Sequence, residues 1–234
     1  MSATITALQT RLGHTFHRPA LLEVALTHPS VVNEDPSVAD SNQRLEFLGD
    51  AVLQLILTEE LFRLFPGDRE GALSSKRFSL VKGAYLSAMA RELDLATCIR
   101  VGPSEVATGG AERDSTLEDA FEAVIAAVYL DAGYETTKAV VLRLYGDIPQ
   151  RLAQVQPAIN PKGRLQELVQ PDHGNSALRY EVAATTGQAH AREFEVVLYF
   201  KNRPLATGRG TSKQRAEEAA ARAALDAWPT AGLE

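Results

Sequence analysis

Cysteine is nearly missing from this chain: Cys98 is the only one in 234 residues. One thiol cannot close an internal disulfide, and it excludes a cysteine-rich zinc site. It fits a reducing compartment. Long hydrophobic runs are also missing. No apolar stretch approaches the roughly 20 residues that a membrane-spanning helix needs. The first residues, MSATITALQTRLGHTFHRP, lack the basic-then-apolar order of a secretory signal. A soluble, cytoplasmic protein without a membrane partner is expected. Internal repeats and low-complexity tracts are absent as well. Positive charge is in deficit, with 24 Lys and Arg against 30 Asp and Glu, a net −6. That balance argues against a nucleic-acid partner until the chain is divided. Residues 1–159 hold 14 basic and 21 acidic side chains, whereas 160–228 hold 10 and 8. Local patches decide such partners more than the total does.

Apolar residues make up 45% of the sequence, enough for a sizeable core. The first part reads as all-helical. PALLEVALTH has helical spacing and opens on proline, which suits a first turn. The polar loop PSVVNEDPSVADSN follows, and Ser41 or Asn42 is placed to cap the next helix. That helix stops near Pro66 and Gly67. ALSSKRFSLVKGAYLSAMARELDL reads as two helical segments. STLEDAFEAVIAAVYLDAGY runs to a break at Gly133, and ETTKAVVLRLYGDI follows. Prolines 149, 157 and 161 bracket a polar linker. Beyond it the period changes. GRLQELVQ reads as a short helix, LRYEVAATTG, REFEVVLYF and RPLATGRG as strands, and TSKQRAEEAAARAALDAW as a helix capped by Thr211 or Ser212. The expected architecture is α + (α+β): an all-helical domain over 1–148, a linker over 149–160, and a small α-β-β-β-α domain over 161–229. Three antiparallel strands with both helices on one face is the economical packing.

The stretch NQRLEFLGDAVLQLILTEELF is apolar almost all round, yet it carries Glu46 and Asp50. At i and i+4 they share a face. Two like charges in a dry setting repel each other and lose hydration. A salt bridge to Arg44, Arg63 or another arginine is one answer. LEDAFEAVIAAVYLD, also apolar nearly throughout, adds Asp119 and Glu122 at i and i+3. Two such helices suggest four converging carboxylates. An all-oxygen set calls for a hard divalent cation such as Mg²⁺. Magnesium on carboxylates suits phosphoryl chemistry.

NQRLEFLGDAVL and LEDAFEAVIAAVYLD resemble the two hallmark segments of the bacterial ribonuclease III family. ALTHPS (25–30) and REGALSSKRFSLV (69–81) resemble its two lesser motifs, in the family's order. The α-β-β-β-α region resembles the family's double-stranded-RNA-binding domain. The resemblance spans essentially the whole chain. It implies an endoribonuclease that hydrolyses both strands of double-stranded RNA, leaving 5′-phosphate and 3′-hydroxyl ends with a short 3′ overhang. It also implies processing of ribosomal RNA precursors and structured messages. The cofactor it implies is Mg²⁺, with Mn²⁺ as a substitute, and no small-molecule cofactor.

Carried over by position, Glu46, Asp50, Asp119 and Glu122 fall on the metal-binding carboxylates, with Asp50 and Glu122 read as catalytic. Glu70 falls on an acidic position of an auxiliary cleft. Gln43 stands where the family usually has glutamate, so that cleft loses a charge. Phe47 matches a residue inserted into the partner of a homodimer. Gln166 and Gln170 match minor-groove contacts, His190 a loop entering the next groove, and Lys213 and Arg215 phosphate contacts. Gln214 interrupts the adjacent basic pair usual there. His28, a lone histidine, reads as structural. A non-catalytic RNA-binding regulator with the same fold is the alternative, and a broken carboxylate set would mark it. A structural dimerisation protein is a further rival, disfavoured by the C-terminal domain.

Overall fold

The computed structural model describes residues 3–174, 176–186 and 192–228. The chain divides into two compact units, Met1–Ile148 and Pro149–Glu234. The elements run α1 (Ala3–Leu12), α2 (Pro19–Ala25), α3 (Pro29–Glu34), α4 (Gln43–Leu64), α5 (Glu70–Val81), α6 (Gly83–Glu92), α7 (Pro103–Val106), α8 (Asp114–Tyr145), α9 (Ile148–Ile159) and α10 (Pro161–His173). Then come β1 (Leu178–Thr186), β2 (Glu193–Phe200), β3 (Arg203–Gly210) and α11 (Lys213–Ala227).

The first unit is built around α4 against α8. Leu53, Ile56 and Leu57 of α4 and Phe121, Val124 and Ile125 of α8 are fully buried. Tyr145, near the end of α8, is buried too and donates its hydroxyl to the Leu80 carbonyl at 2.9 Å. The expected break at Gly133 is real: its backbone is non-helical (φ 76°, ψ −179°) within an otherwise continuous α8, a conformation open to glycine. Just before it, the Asp131 carboxylate accepts from the backbone amides of His17 and Arg18 at 3.0 and 2.9 Å and meets His14 Nε2 at 2.9 Å. Burial works to raise this carboxyl. The amides and imidazoles outweigh it and hold it near 2.

Three local expectations need correction. The loop after THPS contains α3, which opens on Pro29. His28 caps it, its Nδ1 accepting from the Ser30 amide at 3.2 Å. Asn42 occupies the cap position of α4 but makes no side-chain cap bond. Its backbone is already right-handed (φ −69°, ψ −16°), whereas capping side chains reach back from an extended residue. The stretch read as a linker is helical: Pro149 falls in the first turn of α9, and Pro161 opens α10. Pro149 and Pro161 thus stand in first turns, where helices tolerate proline, whereas Pro157 falls within α9.

The second unit is a three-stranded antiparallel sheet in the order β1-β2-β3. Leu165 and Val169 of α10, Leu198 and Phe200 of β2, and Ala220, Ala221 and Ala224 of α11 form its core, so both helices share one face. β2 and β3 join through Lys201 and Asn202, both at positive φ, as a two-residue hairpin turn requires. The alanine-rich face of α11 lets the sheet come close. A β-carbon on Gly208 would lie 2.1 Å from the Ala220 amide nitrogen.

Candidate active site

Helices α4 and α8 meet backbone to backbone at Gly49 and Glu122. This close approach decides where the acidic side chains go. Glu46, Asp50 and Glu122 line one cavity of about 700 Å³, together with Glu118 of α8. Glu118 was not among the expected residues. It precedes Asp119 in a stretch that reads as an ordinary charged helix face, and only the tertiary crossing brings it in. Asp119 does not line the cavity but repels Glu46 and Glu122 electrostatically, and it feels the His28 imidazole.

Burial pushes the Glu122 carboxyl up to about 8, helped by the charges of Asp50, Glu118, Glu46 and Asp119. Burial is also the first cause for Glu46, Glu118 and Asp119, all raised above the ordinary carboxylate range. Asp50 is positioned by Gln54, whose amide nitrogen lies 2.8 and 3.0 Å from its two carboxylate oxygens. The salt-bridge alternative fails among the described residues. Arg63 pairs with Glu60 instead, and Arg44 lines a different groove with Gln43, Phe47 and Leu130. The carboxylates thus crowd one cavity without an ion pair among the described residues: Arg77 also lines that cavity but bonds to the Thr58 hydroxyl instead.

The donor set, oxygen throughout, fits a hard divalent cation. Such an ion would offset both the burial and the repulsion that raise Glu122. Among the described residues no group of three or more His, Cys, Asp or Glu is already placed to hold a metal ion. The cluster is charge-crowded but not drawn in.

The auxiliary residues lie apart from this cavity. Gln43 borders the apolar groove just described. Glu70 accepts from the Ser74 hydroxyl at 2.9 Å and lines a neighbouring cavity of about 500 Å³ with Thr58 and Phe62. Phe47, 83% exposed, begins an apolar stripe along α4 that continues through Leu55 (57%) and Phe62 (72%). One side of α4 enters the core, and this side is left in solvent.

In the second unit, Gln166 is half-buried and Gln170 exposed on α10. Lys213 opens α11 with its ammonium mostly exposed, 4.0 Å from Glu217. The Arg215 side chain bonds to the Thr211 hydroxyl at 3.2 Å, and its amide is capped by Ser212. Arg209 is held by Glu195 at 2.7 Å. His190 lies outside the described residues. No helix among the described residues is long and apolar enough to cross a membrane.

Comparison with known proteins adds the following. Residues 18–148 match a family model described as ribonuclease-III-like, and 161–227 match the double-stranded RNA binding motif. A protein named Ribonuclease 3 from Bdellovibrio bacteriovorus is 42% identical over 94% of this chain and 94% of its own length. One of the same name from Vibrio cholerae is 40% identical over 97% of this chain and 98% of its own. The solved nuclease domain of ribonuclease III from Campylobacter jejuni, described as having structural flexibility in a region involved in dimer formation, superposes with a TM-score of 0.58. It is 41% identical, over 62% of this chain and 99% of that domain.

Proposed function

The chain belongs to the ribonuclease III family and carries a double-stranded RNA binding motif, and from that membership we propose a Mg²⁺-dependent endoribonuclease that hydrolyses both strands of duplex RNA. The observation that supports the metal-dependent reading is the cavity shared by Glu46, Asp50, Glu118 and Glu122, four carboxylates against one guanidinium, Arg77, which pairs with none of them among the described residues. A binding-only regulator has no use for carboxylates held in mutual repulsion. Mn²⁺ is expected to substitute for Mg²⁺.

Glu46, Asp50 and Glu122 would hold the cation, with Asp119 supporting from behind. A divalent ion bound there supplies charge neutralisation at the phosphate and activation of water. Burial and the neighbouring carboxylates favour the protonated form of Glu122, and a cation held in the cluster would favour its ionised form instead. Gln54 keeps the Asp50 carboxylate turned to one position throughout. Water oxygen attacks phosphorus, the bond from phosphorus to the 3′ oxygen breaks, and a proton passes to that oxygen. The products are a 5′-phosphate and a 3′-hydroxyl.

Two centres are needed to cut two strands. A homodimer formed through the Phe47, Leu55 and Phe62 stripe would supply them and cover the apolar face, and offset cuts would leave a short 3′ overhang. Gln166, Gln170, Lys213 and Arg215, with His190, are the proposed duplex contacts, reading shape rather than sequence. Ribosomal RNA precursors and structured messages in the cytoplasm are the proposed substrates. Incubation with long duplex RNA, with and without Mg²⁺, followed by end mapping, tests the reading. No cutting with Mg²⁺ or Mn²⁺ would overturn it.

A further inference from the structure

Arg77 of α5 lines both the carboxylate cavity and the neighbouring cavity that holds Glu70, and no other Lys or Arg among the described residues lines either. A guanidinium beside Glu46, Asp50, Glu118 and Glu122 would ordinarily pair with one of them. Among the described residues Arg77 pairs with no carboxylate. Its Nη1 donates instead to the Thr58 hydroxyl at 2.9 Å. That hydroxyl donates in turn to the Gln54 carbonyl at 2.6 Å, so its lone pairs are free to face Arg77. Gln54 is also the residue that holds Asp50. Arg77 is therefore fixed to the same turn of α4 that fixes a cavity carboxylate, with four of its five donors uncommitted to Thr58.

We infer that Arg77 receives the RNA phosphate next to the one being cut, and so sets the strand's register over the carboxylates. The inference rests on the duplex-RNA reading above. A guanidinium matches a phosphodiester by charge and by paired donors. Because Arg77 lines both cavities, a strand whose scissile phosphate lay over Glu46, Asp50 and Glu122 would present its next phosphate to Arg77. Glu70 lies beyond Arg77, engaged with Ser74.

The test is single-turnover cleavage by the full-length protein of a hairpin carrying, in turn, one uncharged methylphosphonate linkage at each position around the cut. For the wild type, one linkage adjacent to the cut should lower kcat/KM about tenfold, the scale of one charge-assisted contact. Arg77→Ala should cut the unmodified hairpin about tenfold more slowly and lose sensitivity to that linkage alone. Arg77→Lys should keep the sensitivity. Should Arg77→Ala not fold, Arg77→Gln, which can still bond Thr58, gives the same reading. Thr58→Val keeps the charge, so it should remain sensitive at the same linkage. If Arg77→Ala or Arg77→Gln matched the wild type at every linkage while the unmodified hairpin was cut normally, this inference would be overturned and the duplex-RNA reading would stand. A wild-type protein that cuts no duplex would overturn both.

Discussion

Gly49 sits directly against the backbone of Glu122: a β-carbon at Gly49 would lie 1.9 Å from the Glu122 carbonyl oxygen. Both partners are backbone in the middle of long helices, so neither can turn aside as a side chain would. The crossing of α4 and α8, and with it the spacing of the carboxylates, depends on the missing side chain. Gly49→Ala should cost at least about 3 kcal/mol, the upper range for overpacking. That corresponds to a fall in Tm of roughly 6–12 °C for a chain of this size. Calorimetry measures it. An unchanged melting temperature would mean that the helices can separate freely at this point.

Glu122 links the cavity to pH. Its carboxyl is raised from the ordinary 4.5 to about 8. The folded chain then holds this proton over a range in which the unfolded chain has already lost it. The stability it confers is complete below about pH 4.5 and falls away as pH rises towards 8. In cation-free buffer Glu122→Gln should flatten this decline and leave the variant more stable at pH 8 by about 2 kcal/mol, roughly half of what the rise from 4.5 to about 8 would give without solvent screening of a carboxyl that lines an open cavity. A smaller decline should remain, because Glu46, Glu118 and Asp119 are raised too. The same variant should lose cleavage yet keep duplex binding. Denaturant titrations at pH 5 and pH 8 with a chelator check the stability claim, which parallel slopes for the two proteins would refute.

Much of this cavity is legible in sequence because helical spacing is local. Glu46 with Asp50, and Asp119 with Glu122, each declare a shared face by their intervals alone. Which helix crosses which, and at what point, is not local. Glu118 enters only through that crossing and Arg77 only through the packing of α5 on α4, and in sequence both look like solvated charges. Gln43 shows the same dependence on packing. Its interval to Glu46 is one helical turn, and the fold sets it in the groove with Phe47 and Leu130. In the second unit, alternation over REFEVVLYF and the alanine run of α11 identified strand and helix directly. Their contact depends on Gly208 and Gly210, whose meaning appears only once the helix lies over the strand. The proline-bounded segments 29–34 and 149–159 misled because proline favours a first turn as readily as it ends a helix.

Phe47 is 83% exposed, so a change there should disturb association without touching the core. Phe47→Asp places a charge on the apolar stripe of α4. Sedimentation should show a dimer for the unaltered protein and a monomer for the variant, with the helical content of the two equal. A dimer that survives Phe47→Asp would place the interface elsewhere than on this stripe.

Lys213 stands at the first turn of α11, its ammonium exposed and only loosely opposed by Glu217 at 4.0 Å. Backbone donors at a helix start and a mobile cation together make a phosphate site. A phosphate contact orients the protein on a duplex but carries no base information. Lys213→Ala should therefore weaken binding to unrelated duplexes by the same factor. Each phosphate neutralised adds to the steepness with which affinity falls in salt, so the slope of log affinity against log salt should become shallower by about one. Arg209 offers a contrast, because Glu195 already holds its guanidinium at 2.7 Å. Arg209→Ala removes a charge that is largely balanced within the protein, and its salt slope should change less. Titrations of two duplexes of different sequence at several salt concentrations measure all of this. A Lys213→Ala protein that lost affinity for one duplex and kept it for the other would show that this side chain reads sequence rather than backbone.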